Sequence, residues 1–249
     1  MGPEIKVLPE VADVAHAAAE RIVAAANHAA EDGRTFSIAL SGGSTPKALY
    51  ELLATPAYRS RIDWPTVEVF FGDERNVAPD HPESNYRMAR EALLSKVPLP
   101  GDNVYRMHGE LDANEAAKQY GQMLTEKFPS AGSGQAGDGG LDLVLLGMGD
   151  DGHTASLFPG TAALNETKHR AVANYVEKLK TWRITLTAPF INRAKEVLVL
   201  VTGASKAARL AEVLEGPPDP QRLPIQLIQP ASGRLFWLVD AAAAGMAEH

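Results

Sequence analysis

Short apolar runs alternate with longer amphipathic stretches along almost the whole chain. Residues 36–40, 66–71, 141–146, 197–201 and 235–239 are compact and mostly apolar, with Val, Ile, Leu and Phe prominent. Runs of this length predict strands covered on both faces. Between them the period changes. Val11, Val14, Ala15, Ala18, Ile22, Ala25, Ala26 and Ala29 recur at i, i+3, i+4, i+7 spacing and predict an amphipathic helix, with Pro9 in its first turn and Gly33 at its C′ position. Ala48, Leu49, Leu52 and Leu53 begin a second helix. Residues 83–94 and 114–128 have helical patterns, the latter turning Ala116, Ala117, Tyr120, Leu124 and Phe128 inward. Ala207, Leu210, Ala211 and Leu214 form a last helix, stopped at Gly216-Pro217-Pro218. Residues 6–8 and 103–107 read as short strands, 171–176 and 183–187 as two more. Setting the two short segments 6–8 and 103–107 aside, about seven strands with interleaved helices predict an α/β fold: a doubly wound, mostly parallel, Rossmann-like sheet with helices on both faces. The alternation continues on both sides of PSAGSGQAGDGG at 129–140, so residues 1–249 read as one domain with a flexible glycine-rich insertion there.

Polar clusters follow the apolar runs directly, and in open α/β sheets ligands bind where strands end. After 36–40 comes Ser41-Gly42-Gly43-Ser44-Thr45-Pro46-Lys47 at a helix start. Free N–H groups and the positive end of the helix dipole favour an anion there, and Ser44 or Thr45 is expected to cap the helix with Pro46 at N1. Lys47 in the first turn opposes the dipole by about 0.3–1 kcal/mol unless an anion is near. The GxxxxGK[ST] spacing of a P-loop is missing. After 66–71 come Asp73, Glu74 and Arg75. After 141–146, Gly147, Gly149 and Gly152 loosen the backbone while Asp150, Asp151 and His153 crowd into four positions. Lys206, like Lys47, stands in a helix's first turn. His153 is distinguished from His16, His28, His108, His169 and His249 by its company; those five read as structural or surface residues.

With 249 residues, 45% hydrophobic and 22% charged, the composition suits an ordinary globular protein, and it changes the picture in three ways. A net charge of −7 leaves no basic stripe for nucleic acid, so bound anions must be met locally. There is no cysteine, which removes disulfides, thiolate nucleophiles and Cys-based zinc sites. No signal sequence is evident, and no uncharged run approaches the roughly 18 residues of a membrane span, so the chain reads as cytoplasmic with no membrane partner.

Three separated stretches, SGGSTP at 41–46, FFGDERNV with SNYRMA within 70–89, and LGMGDDGHTASLFPG at 146–160, resemble the signature blocks of the 6-phosphogluconolactonase family. That family is similar in fold to glucosamine-6-phosphate deaminase, which shares a DGH motif with a different ending. The resemblance implies hydrolysis of 6-phospho-D-glucono-1,5-lactone in the pentose phosphate pathway, with no metal and no other cofactor, and a phosphorylated sugar lactone as partner. It implies His153 as general base, Asp151 as a carboxylate that orients the substrate or the water, and Arg75 as a substrate-contacting cation; Asp73 is a further catalytic candidate. Arg183, Lys206, Gly42, Gly43, Ser44 and Thr45 would hold the phosphate. Oligomeric state is not legible, and a monomer is favoured. The chemistry agrees, since a δ-lactone is an activated ester for which a positioned base and an oxyanion sink suffice.

Three rivals compete. An isomerase or deaminase of an amino-sugar phosphate would use Asp73 as its base. A serine esterase is imitated by Gly203-Ala204-Ser205-Lys206-Ala207, but Ala207 breaks G-x-S-x-G and only His249 follows. A non-catalytic sugar-phosphate sensor would need a DNA-binding module for which no basic segment remains.

Overall fold

The computed structural model describes residues 2–129 and 139–246. Most of the expected 129–140 insertion, and His249, therefore lie outside the described residues. The strands are β1 (Glu4–Leu8), β2 (Phe36–Leu40), β3 (Val67–Phe71), β4 (Asp73–Arg75), β5 (Leu143–Gly147), β6 (Ala171–Val176), β7 (Thr181–Leu186), β8 (Glu196–Val201) and β9 (Arg234–Asp240). The helices are α1 (Val11–Glu31), α2 (Ser44–Leu53), α4 (Asn85–Ala89), α5 (Ala113–Lys127) and α7 (Ala207–Glu215), with single turns α3 (Pro56–Arg59) and α6 (Ala188–Ile191).

Six strands form one parallel sheet in the order β1-β9-β8-β5-β2-β3. β2 and β5 are neighbours, and the chain winds outward from them in opposite directions, so the crevice between their carboxyl ends is the topological switch point. Successive side chains alternate between two cores, one on each face. Val144, Leu146, Val197 and Val199 enter one; Leu143, Leu145, Leu198 and Leu200 enter the other. A strand clothed on both faces has no polar phase, which is why these segments read as continuous apolar runs.

The remaining strands depart from the sequence reading. β4, β7 and β6 form a separate antiparallel sheet in that order. Gly72 is the switch between the sheets: its N–H donates to Leu40 O at 2.8 Å, and its carbonyl accepts from Leu186 N at 2.8 Å. Residues 171–176 and 183–187 are extended as expected, but as the arms of a hairpin.

Smaller corrections follow local chemistry. Pro9 precedes α1, whose N-cap is Glu10 in a capping box with Asp13, and Gly33 follows the helix at φ +68° as expected. Residues 103–107 are no strand: Val104 makes only an isolated bridge to Val69 at the sheet edge. Helix 83–94 is the short α4, capped by Ser84 Oγ accepting from Arg87 N at 3.1 Å, and it runs on as a π-turn over Arg90–Leu94. In α7 Val213 is buried where Ala211 is exposed.

One buried carboxylate ties the amino ends of the central strands together. Asp142 Oδ2 accepts from Ser37 N and Ser37 Oγ, both at 2.9 Å, and Oδ1 accepts from Arg34 Nη1 at 2.5 Å and Lys195 Nζ at 2.9 Å. Burial works against the charge, but the Lys195 and Ser37 hydrogen bonds and the nearby cations outweigh it, so the carboxyl sits below its ordinary range. A depressed folded value means stability that is present above the unfolded carboxyl's range and lost as pH falls through the folded one. Asp142→Asn should cost about 1–3 kcal/mol in urea unfolding at pH 7. The difference from the parent should shrink as the pH is taken below about 4.

Candidate active site

The functional side chains come from four loops at the carboxyl edge of the parallel sheet and from the small sheet above it. After β2, buried Tyr50 anchors the first loop: Ser41 N donates to Tyr50 Oη at 2.9 Å, and Tyr50 Oη donates to Ser41 O at 2.8 Å. Gly43, at φ +106°, is the N-cap of α2, and Ser44, Thr45 and Pro46 are its first three residues. The N–H groups of Ser44 and Thr45 therefore have no intrahelical acceptor. Neither hydroxyl caps the helix, contrary to expectation, and Thr45 Oγ1 pairs instead with Thr202 Oγ1 at 2.7 Å. Gly42 is required by packing, since a Cβ there would lie 2.1 Å from Asn85 Oδ1. Lys47 turns away. It lies on the exposed side of α2, 3.8 Å from Glu51, and offers nothing to this loop.

β4 alternates, and its three residues have three environments. Asp73 is buried: Oδ1 accepts from Asn85 Nδ2 at 3.1 Å and Oδ2 from Ser156 Oγ at 2.6 Å. Glu74 faces the other way and accepts from Arg75 N, Ser84 Oγ, Asn85 N and Tyr86 N at 2.7–3.0 Å, fastening the strand to the start of α4. Burial nonetheless raises its carboxyl above the usual range. Arg75 donates to Glu83 O and is the cross-strand partner of Arg183. Burial, and then repulsion by Arg75, push the Arg183 guanidinium below its ordinary value. Among the described residues that guanidinium has no hydrogen bond or ion pair, although Asp73, Glu83 and Glu74 lie near enough to attract its charge.

The loop after β5 makes a tight turn. Gly149 N donates to His153 O at 2.8 Å, Gly152 N donates to Gly149 O at 3.0 Å, and Gly152 has φ +79°. The turn brings Asp151 Oδ1 to 2.5 Å from His153 Nδ1. With Nδ1–H donating to the carboxylate, Nε2 carries the lone pair. Burial favours the neutral acid at Asp151, but hydrogen bonds from His153 and from Lys178 outweigh it and hold the carboxyl far below the usual range. The imidazole stacks on Phe158, ring centroids 4.1 Å apart at 21°. Ala155, at φ +46°, holds a conformation that costs a residue with a Cβ about 1 kcal/mol or more. The acid pair splits, with exposed Asp150 meeting Lys206 Nζ at 2.6 Å. The Lys206 turn is held in place by Asp240, whose two oxygens each accept from Gly203 N at 3.0 Å.

Gly42, Gly43, Ser44, Thr45, Asp73, Arg75, His153, Arg183 and Lys206 all line one cavity of about 450 Å³, and Asp151 stands behind His153. A larger cavity of about 760 Å³ lies between α5 and β6, away from every one of these groups. Chemistry rather than volume singles out the smaller. Among the described residues no three His, Cys, Asp or Glu side chains cluster as a metal site would require.

Comparison with known proteins matches residues 9–237 to the family of glucosamine-6-phosphate isomerases and 6-phosphogluconolactonases. The chain belongs to this family. It is 44% identical over 246 residues to a 6-phosphogluconolactonase of Nostoc sp., with 98% of each chain covered. It is 46% identical over 209 residues to the enzyme of that name in Synechocystis sp., covering 83% of this chain and 82% of that one. Among solved structures, 6-phosphogluconolactonase from Trypanosoma brucei superposes with a TM-score of 0.86 at 32% identity, covering 99% of both chains. A monomeric glucosamine-6-phosphate deaminase shares the fold, with a TM-score of 0.81 at 18% identity over 98% of this chain and 100% of that one. The fold is thus the mostly parallel α/β fold of this family, and no helix among the described residues is long and apolar enough to cross a membrane.

Sequence reasoning missed Ser156 and Asn85, which pin Asp73, as well as Phe158 under the imidazole, Lys178 beside Asp151, and Asp240. Ser84-Asn85 and the residues after His153 stood inside the motifs; Lys178 and Asp240 carried no local signal. Gly149 gives the sharpest test of the His153 geometry, because a Cβ there would lie 2.0 Å from Nδ1. Gly149→Ala should leave the fold intact and displace the ring from Asp151. Imidazole nitrogen chemical shifts would then lose the pattern of a single Nδ1–H tautomer; an unchanged spectrum would show that the turn has slack.

Proposed function

We propose that this chain hydrolyses 6-phospho-D-glucono-1,5-lactone to 6-phosphogluconate, the ring-opening step of the oxidative pentose phosphate pathway, as a carboxylic ester hydrolase. The observation that carries this reading is an imidazole hydrogen-bonded at Nδ1 to a carboxylate and lining a cavity that Arg75, Arg183 and Lys206 also line. The names of relatives aligned over nearly the full chain support it. Neutral His153 takes a proton at Nε2 from a water as that water's oxygen attacks the lactone carbonyl carbon. Asp151 keeps the proton on Nδ1 and stabilises the imidazolium that forms. The tetrahedral oxyanion collapses, the bond from carbonyl carbon to ring oxygen breaks, and the imidazolium returns its proton to that departing oxygen. Arg183, Lys206 and the N–H groups of Ser44 and Thr45 hold the phosphate, where the start of α2 adds its dipole. Arg75 contacts the substrate, its charge available to the developing oxyanion.

An isomerase or deaminase would need Asp73 free to take a carbon-bound proton. Both of its oxygens already accept hydrogen bonds, which favours a positioning role instead. The enzyme so described is a cytoplasmic, single-domain monomer whose site is built within one chain.

The test is hydrolysis of freshly made phosphorylated and unphosphorylated lactone, corrected for spontaneous opening, with ammonia release from an amino-sugar phosphate as the counter-assay. His153→Ala or His153→Gln should lower kcat by roughly 10²–10⁴-fold with binding near normal. Near-full turnover by a folded His153→Ala protein would remove His153 from the mechanism. Lys206→Ala should weaken the preference for the phosphorylated lactone by about 1.5–3 kcal/mol. An unchanged preference would place the phosphate elsewhere.

A further inference from the structure

The β6–β7 hairpin reaches the site from the far side, and its tip carries a cation that the reading above does not use. The tip is a turn over Glu177–Leu179, closed by Lys180 in the left-handed conformation at φ +49°. Its arms are braced by the cross-strand pair Tyr175 and Trp182, ring centroids 5.3 Å apart. Leu179 lines the cavity. Lys178 Nζ donates to Asp151 Oδ2 and sits 5.8 Å from the centroid of Phe158, the ring on which His153 stacks. Lys178, Asp151, His153 and Phe158 thus form a closed circuit of contacts contributed by two elements far apart in sequence.

We propose that Lys178 is a positioning residue of the Asp151–His153 pair. By holding Oδ2 it turns Oδ1 toward Nδ1, and its charge offsets the carboxylate beside the imidazole. The physical need is plain. An unbalanced carboxylate within hydrogen-bond distance favours imidazolium, and imidazolium cannot take a proton from water. A cation on the carboxylate's other oxygen keeps the orienting hydrogen bond while cancelling part of that bias. The hydrogen bond from Lys178 also contributes to holding Asp151 ionised. The other charges around the imidazole are already committed or lie across the cavity. Asp73 is held by Ser156 and Asn85, Arg75 donates to Glu83 O, Lys206 pairs with Asp150, and Arg209 is bound by Asp150 O and Glu212. Arg183 is free among the described residues, but it projects from β7 toward the cavity and makes no contact with Asp151.

The proposal rests on His153 acting as general base, and the experiment separates the two. Lys178→Gln, Lys178→Arg and His153→Ala are assayed for lactone hydrolysis across the pH range, with thermal unfolding as a check on folding. Lys178 is largely exposed, so the fold should tolerate both substitutions. Lys178→Gln should lower kcat by about tenfold with little change in KM. It should also move the acid limb of the kcat profile upward by about half a pH unit, the scale of one screened charge several ångströms away. Lys178→Arg should restore the parent's limb. If Lys178→Gln leaves kcat and the limb unmoved while His153→Ala is inactive, the proposal is wrong and the general base stands. A rise in KM alone would make Lys178 a substrate contact and equally overturn it. A fully active His153→Ala protein defeats the underlying reading, and the proposal with it.

Discussion

The site depends first on the parallel pairing of β2, β3, β5 and β8. Because these strands run the same way, every strand-to-helix connection must leave the sheet at one edge, and the helix that follows starts there with its N–H groups unpaired. Register then sets how closely the loops converge. Leu40 lies beside Phe71 and Gly147 beside Leu200, while Ala39 lies beside Val144, so the loops leave the sheet as two level pairs, with β5 and β8 running a few residues beyond β2 and β3. A protein with a net charge of −7 thereby gathers Arg75, Arg183 and Lys206 around one cavity. The field comes from helix α2 and a few converging cations, not from bulk charge.

The second constraint is the small antiparallel sheet, which stands over that edge and turns an open crevice into a cavity. It does so at a local cost. Arg75 and Arg183 are placed as cross-strand neighbours, a like-charge pairing that opposes stability. Ala155 adopts a left-handed backbone nearby, and Asp73 and Glu74 are buried carboxylates that need six hydrogen bonds between them. Such concentrations of strain and closely placed charge are expected where a ligand completes the arrangement. At the opposite edge, Asp142 is met by two cations and a serine and ties the strand ends together.

Much of this was legible without coordinates, for definite reasons. Burial on both faces writes itself into a strand as an apolar run, and burial on one face writes itself into a helix as a 3.6-residue period. Positions 36–40, 197–201 and the inward face of α1 were therefore open to reading. The pairing of Asp151 with His153 is also local. They stand two positions apart with only Gly152 between them, and the glycines around them free the backbone for the turn that brings them together, so the sequence marked the pair as able to meet. The resemblance of three motif blocks added the chemistry that composition lacked.

Other features depend on distances that no local pattern encodes. Residues 171–176 and 183–187 look like strands whichever sheet they join. They pair with each other as a hairpin closed by the turn at Glu177–Leu179, and Gly72 joins that hairpin's sheet to the parallel one with one hydrogen bond on each side. Lys47 and Lys206 both stand near a helix start in the sequence, yet Lys47 is the fourth residue of α2 and faces solvent beside Glu51, while Lys206 is the N-cap of α7 and lines the cavity. Their side chains differ in direction because α2 begins three residues before Lys47 whereas α7 begins one residue after Lys206. Lys178 carried no signal at all, being 27 residues from the carboxylate it holds. The chain therefore announces what each segment is and which loops carry reactive groups. Which of those groups meet is set by strand partners and by where each helix begins, and these follow from the packing of the whole core.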